Sequence, residues 1–180
     1  MFDSIFIILG GLGEAKPHRR ADERLARLFD SLRRAPSADV AETIEGEIWQ
    51  IWCADTDEVG RQMMQEGITA LAAGRIEPAE IAFGKLIDHD PDCAEAWNKR
   101  ATARFLLDDS RGSTTDIEET LIREPRHFGA LSGLGQIMMA EAEWVGATPA
   151  LEAALRANPH LKSVRTAIET LKRRIKRLMH

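Results

Sequence analysis

Residues able to do chemistry are few and scattered along this chain. There are five histidines, His18, His89, His127, His160 and His180, and two cysteines, Cys53 and Cys93. No pair has the spacing of a zinc site, and there is no CxxC. No GxSxG, P-loop or HExxH is present, and Gly10-Gly11-Leu12-Gly13 lacks the spacing and the strand–helix context of a dinucleotide loop. His89, His127 and His160 fall within a few residues of prolines, in expected turns, where an imidazole is usually solvated. The 29 acidic residues are spread through helical patterns and read as solvated faces. The cysteines fall at neighbouring turns, too far apart to bridge, and are expected as two unpaired thiols that leave the compartment open. The expectation is no catalytic residue, no metal and no cofactor.

What organises the chain is a period. Pro91, Pro125 and Pro159 are 34 residues apart, in the frames Asp-His-Asp-Pro91, Ile-Arg-Glu-Pro125 and Arg-Ala-Asn-Pro159. Counting back gives units 60–93, 94–127 and 128–161, each patterned as two short amphipathic helices. Position eight is small in each (Gly67, Ala101, Gly135), as is position twenty (Ala79, Ser113, Ala147). Position twenty-four is large and apolar: Phe83, Ile117, Leu151. Two helices approach closely only where one presents a small residue beside a larger neighbour. Proline then stops the second helix, because it lacks an N–H and disfavours helical geometry just before it. The fold class is therefore all-α, a helical-hairpin solenoid of three units, with helices near 58–73, 77–89, 93–107, 113–124, 127–141 and 148–157.

These frames resemble the tetratricopeptide repeat family, in a form similar to its bacterial members, over residues 60–161. Gly74-Arg75-Ile76-Glu77-Pro78-Ala79 is similar to the family's inter-helix turn, and Trp144 falls where that turn often has an aromatic. The match is imperfect: Asp108-Asp109-Ser110-Arg111-Gly112 has no aromatic, Leu86 and Thr120 stand where alanine is favoured, and Pro149 implies a late start to the last unit's second helix. The resemblance implies a concave face lined by positions two, five, nine, twelve and thirteen of each unit. From these, Met64, Ile68, Leu71, Asn98, Thr102, Phe105, Gln136 and Met139 are the candidate partner-binding residues. Asn98, Thr102 and Gln136 suit a peptide backbone, while Met64, Phe105 and Met139 suit apolar side chains. Some family members clamp a C-terminal carboxylate with Lys, Arg and Asn. The matching positions here are Met64, Ile68, Lys99, Gly129 and Gly133, of which only Lys99 is a cation, so that clamp is absent.

Outside the array, residues 1–20 contain the apolar run Ile5–Gly13, too short to span a bilayer. It is similar to the back half of a secretory signal peptide, although only Asp3 is charged before it; export to the periplasm or beyond is one expectation, a loosely packed N-terminus in a cytoplasmic protein the other. Residues 21–57 read as an irregular helical hairpin, 21–35 and 38–53, with Leu25, Leu28, Phe29 and Leu32 on one helix and Val40, Ile44, Ile48, Ile51 and Trp52 on the next. It fails the repeat frame and is expected to cover the end of the array, with Trp49 and Trp52 as packing residues and a ligand site as the alternative. Residues 162–180 form a last helix with the stripe Val164, Ala167, Ile168, Leu171, Ile175 and Leu178. Seven Lys or Arg stand there against Glu169, so this segment carries +6 and residues 1–161 carry −11. The basic helix reads as a cap; contact with a second copy, giving a homo-oligomer, and an anionic partner are the alternatives. The acidic array argues against nucleic acid.

The expected function is non-catalytic: an adaptor or assembly factor presenting its groove to a peptide or helix of another protein. The alternative is a structural or self-associating component acting through its end helices, with the groove filled internally. Fold alone does not name the partner.

Overall fold

The computed structural model describes residues 9–10 and 23–178. The candidate export segment, His18, His180 and the side chain of Leu178 lie outside the described residues, apart from helical Leu9 and Gly10. Leu9 is half-buried and packs against the core of the later repeats.

Beyond Gly10 the described chain is helical: α1 Glu23–Arg33, α2 Ala38–Ala54, α3 Glu58–Ala72, α4 Ile76–His89, α5 Ala94–Leu106, α6 Ser110–Arg123, α7 Phe128–Ala140, α8 Trp144–Ala157 and α9 Lys162–Leu178. The pairs α3/α4, α5/α6 and α7/α8 are antiparallel hairpins stacked in order. Small-against-large packing joins each pair. A Cβ added to Gly67 would stand 2.4 Å from Phe83 Cε1, and one added to Gly135 would stand 2.4 Å from Leu151 Cδ2. In the middle hairpin Ala101 takes the glycine's place, and the narrower Ile117 takes that of Phe83 or Leu151.

Both kinds of turn repeat. After α3, α5 and α7 the chain passes through Gly74, Asp108 and Ala142, at φ 70°, 61° and 62°. The next N–H closes a six-residue loop in each: Arg75 to Ala70 O at 2.9 Å, Asp109 to Arg104 O at 2.9 Å and Glu143 to Met138 O at 2.8 Å. Left-handed geometry costs an L-residue about 1–2 kcal/mol, which is why the sequence alone gives no signal for Asp108 and Ala142. At the proline turns, Asp90, Glu124 and Asn158 donate their N–H to Leu86, Thr120 and Ala154 in turn. The side chains of Glu124 and Asn158 then accept the N–H two residues on.

Three expected boundaries or placements are corrected. Helix α6 starts at Ser110 rather than 113, because Asp109 accepts the Gly112 N–H as N-cap. Ser113 and Asp116 thus lie inside the helix. The Ser113 hydroxyl donates to Ala101 O at 2.7 Å, and buried Asp116 accepts from Arg100 and Arg104. Helix α8 starts at Trp144 and carries Pro149 inside it. The carbonyl Pro149 leaves unbonded belongs to Val145, a residue 76% exposed at the surface, where hydration can offset the lost donor. Third, the α1–α2 hairpin does not sit on the end of the array. It lies across the proline turns of the second and third repeats. Asn158 Nδ2 donates to Glu45 Oε2 at 2.8 Å, and His160 Nε2 donates to Leu32 O at 3.1 Å. The free face of the first repeat is mixed: Gln62, Gln65, Glu66, Thr69, Arg75 and Lys85 line it, with Pro78 and the exposed Ile81 among them.

At the other end α9 packs on α8. Val164, Ile168 and Leu171 are buried in the core of the later repeats, and Arg174 stacks over Trp144 at 4.0 Å. No helix among the described residues is long and apolar enough to cross a membrane.

Candidate functional site

The concave face is lined by α3, α5 and α7, and the N-terminal hairpin divides it. The upper half, at the starts of α5 and α7, is closed by Trp49 and Trp52 of α2. Trp52 stacks on His127 with centroids 4.0 Å apart and planes 13° from parallel. Trp49 meets Trp52, Phe128 and His127 edge-on at 5.1, 5.4 and 5.4 Å. Gly129 makes this approach possible, since a Cβ there would lie 2.6 Å from the Trp49 ring. Phe29 of α1 completes the aromatic cluster, with Arg126 over its face at 4.4 Å.

Beneath the tryptophans lies a buried polar cluster. Glu95 is fully buried. Its Oε2 accepts from His127 Nε2 at 2.7 Å and from Asn98 Nδ2 at 3.1 Å. Lys99 Nζ stands 3.2 Å from Oε1, at an angle too poor for a hydrogen bond, and neutralises the carboxylate as an ion pair. Lys99 also lies over Trp49 at 5.1 Å. His127 Nδ1 accepts the Ala130 N–H at 3.1 Å, capping α7, so the ring proton sits on Nε2. A glutamate–histidine pair is half of a proton-transfer device, yet this ring is fully buried and both nitrogens are engaged. It has no lone pair left to take a proton from a solute; the pair clips α5 to α7 under the hairpin.

Both thiols border this region. Burial, then the charge of Glu95, pushes Cys53 up to about 11. Burial is also the main cause for Cys93, pushed up to about 12. Neither is an activated nucleophile.

Among the described residues the lower half of the face is open. Between α5 and α7 runs a cleft of about 80 Å³, lined by Ala101, Thr102, Phe105, Gly133, Gln136 and Ile137, with Asn98 and Gly129 at its closed end. The floor is apolar; the Thr102 hydroxyl already donates to Asn98 O at 3.1 Å, whereas the Gln136 amide is exposed. The sequence-predicted residues therefore divide. Thr102, Phe105 and Gln136 line the cleft, and half-buried Met139 packs on the same core, one turn along α7 from Gln136. Ile68 and Leu71 are half-buried against the core of the first repeat. Two expected binding residues are not accessible. Met64 is 2% exposed inside that core, and Asn98 is 7% exposed with its amide N–H on Glu95. His127, expected in a solvated turn, is buried. The polar cluster escaped the sequence reading because Glu95 and His127 are 32 residues apart, two unremarkable positions until the repeats stack.

A second network fixes the outer side of α5. Asp116, fully buried, accepts from Arg100 Nε and Nη2 at 2.9 and 2.8 Å and from Arg104 Nη1 at 3.0 Å. Arg104 Nε reaches Glu80 at 3.0 Å. The hydrogen bonds to Asp116 hold Arg100 charged above its ordinary range. These cations face away from the cleft and belong to repeat–repeat packing.

The chain is 40% identical over 117 residues to a TPR repeat-containing protein of Rhizobium etli, an alignment covering 64% of this chain and 57% of that one. In sequence the chain thus resembles tetratricopeptide-repeat proteins. Tetratricopeptide repeat protein 36 of Mus musculus is 32% identical over 83 residues, covering 46% of this chain and 45% of that one. The chain thus spans about half the length of the curated relatives it matches. No family model matches. Among solved structures, the first TPR of Spaghetti (RPAP3) bound to HSP90 peptide SRMEEVD aligns with TM-score 0.64 at 18% identity, over 68% of this chain and 98% of that one. MamA protein aligns with TM-score 0.59 at 17% identity, over 83% and 79%. These likenesses give the tetratricopeptide fold, an all-α solenoid used by several neighbours to hold peptides of other proteins.

Proposed function

We propose that this protein is a non-catalytic interaction module that holds a peptide or helix of another protein in the open half of its concave face. The observation that carries this reading is the cleft between α5 and α7, apolar at its floor and rimmed by the free amide of Gln136. Thr102, Phe105, Gln136 and Met139 are the contact residues. Phe105 and Met139 offer deformable apolar area, and Gln136 offers a donor and an acceptor to a peptide bond. Several structural neighbours are peptide complexes, RPAP3 with an HSP90 peptide and yeast Sti1 with a pHsp70 complex among them, which supports a groove ligand of the same general kind.

The test is affinity capture from the cells that make the protein, with native chain beside a Phe105→Glu, Met139→Glu variant shown to be folded by circular dichroism. Partners held by the native chain and lost by the variant support the reading. Equal capture by both contradicts it, and moves the working surface to the basic α9 and self-association.

A further inference from the structure

We infer that the open half of the groove selects an apolar segment flanked by lysine or arginine, a polarity opposite to that of an acidic peptide. This rests on the proposed groove and names its ligand class. The floor supplies the apolar part through Ala101, Phe105 and Ile137. The charge comes from the rim. Helices α5 and α7 both run away from the closed half and end at Leu106 and Ala140, so the negative ends of two helix dipoles meet at the open end. Asp108 follows one turn after Phe105, and Glu141 and Glu143 follow Met139; all three are exposed. Arg111 is the single cation within the two turn segments 107–111 and 141–145, and Arg174 of α9 lies over Trp144 beside the second.

The closed half removes the opposite charge. Lys99, the one cation at a carboxylate-clamp position, is spent on Glu95 and lies under Trp49. Gly129, another such position, is covered by the same ring. An acidic peptide such as SRMEEVD, held by RPAP3, would meet carboxylates at one end of this groove and an indole at the other. A cation-flanked apolar segment meets neither obstacle, and exposed carboxylates each add a modest, salt-sensitive attraction.

The experiment uses the full chain and three labelled undecapeptides with one Phe-Leu-Leu core, flanked on each side by four Lys, four Gln or four Glu, followed by fluorescence anisotropy at low and high salt. The Lys peptide is expected to bind about tenfold more tightly than the Gln peptide, and the Glu peptide more weakly than either. Asp108→Asn, Glu141→Gln and Glu143→Gln together should erase the Lys preference and leave the Gln peptide unchanged. Neutralising three distant exposed acids (Asp39→Asn, Glu42→Gln, Glu152→Gln) should leave the preference in place. Three results overturn the inference. Equal binding of all three peptides that Phe105→Glu abolishes removes the charge selection but keeps the groove. An equal response to both sets of neutralised acids assigns the preference to net charge. A Leu9→Glu chain that binds every peptide more than tenfold tighter, or self-association that the rim variant abolishes, gives the cleft to the chain's own N-terminal segment or to a second copy. Binding of any peptide that ignores Phe105→Glu and Met139→Glu fails the groove reading itself.

Discussion

The two halves of the concave face are built from the same helices and have opposite characters. Near the starts of α5 and α7 the surface is closed by two tryptophans and held by a buried carboxylate with three polar partners. Near their ends it is an open cleft with an exposed amide and no buried charge. One turn of α7 separates them: Gly129 lies under Trp49, while a Cβ on Gly133 would meet only Ile117 Cδ1, at 3.7 Å. The repeat supplies a scaffold, and the hairpin outside the repeat decides which part of it stays available. Closure costs desolvation of Glu95 and Lys99, which the neighbouring hydrogen bonds and aromatic packing offset.

Removing Glu95 breaks the comparison most strongly. Glu95→Ala leaves the His127 N–H without an acceptor and Lys99 without its counter-ion, and should destabilise the chain by about 3–5 kcal/mol. Urea unfolding followed by tryptophan fluorescence measures this, and a loss below about 1 kcal/mol would show that the cluster holds nothing.

Cys53, on the underside of α2, reports the same closure. Its thiol is pushed up to about 11, so the thiolate is scarce until the pH nears that value. Alkylation at pH 8 should run about 100-fold slower than that of a free thiol, and accelerate in Glu95→Ala as α2 lifts. Rapid labelling of the native chain would mean that the hairpin is seated loosely.

Next come the two glycines. Gly129→Ala pushes on Trp49 and should cost about 1–3 kcal/mol. Gly133→Ala finds ordinary contact distance and should stabilise the helix by about 0.5–1 kcal/mol. Thermal melts of the pair compare the halves directly, and equal effects would erase the distinction. The smallest effect belongs to the rim of the cleft: Gln136→Ala should shift stability by less than about 0.5 kcal/mol while weakening partner capture.

The repeat was legible because its cause is local and periodic. A small residue at position eight, a large one at twenty-four and a proline at the end report a single packing geometry three times. Candidate groove residues followed from that frame, and the cleft contains Thr102, Phe105 and Gln136. What escaped was set by contacts without a period. Nothing near Trp49 announces that it will rest on Gly129, 80 residues later, nor that Glu45 will meet Asn158. Met64 and Asn98 were misplaced for the same reason, since a concave position is accessible only where nothing else covers it. Pro149 misled because helix interruption depends on whether the freed carbonyl faces water.

The central claim is that the working surface is the open half alone. The direct test is site-specific photocrosslinking in the producing cells, with a benzophenone amino acid replacing Gln136 in one chain and Lys99 in another. The account predicts crosslinks to another protein from position 136, and only intrachain crosslinks to α2 from position 99. A partner captured from position 99 and none from position 136 would contradict it.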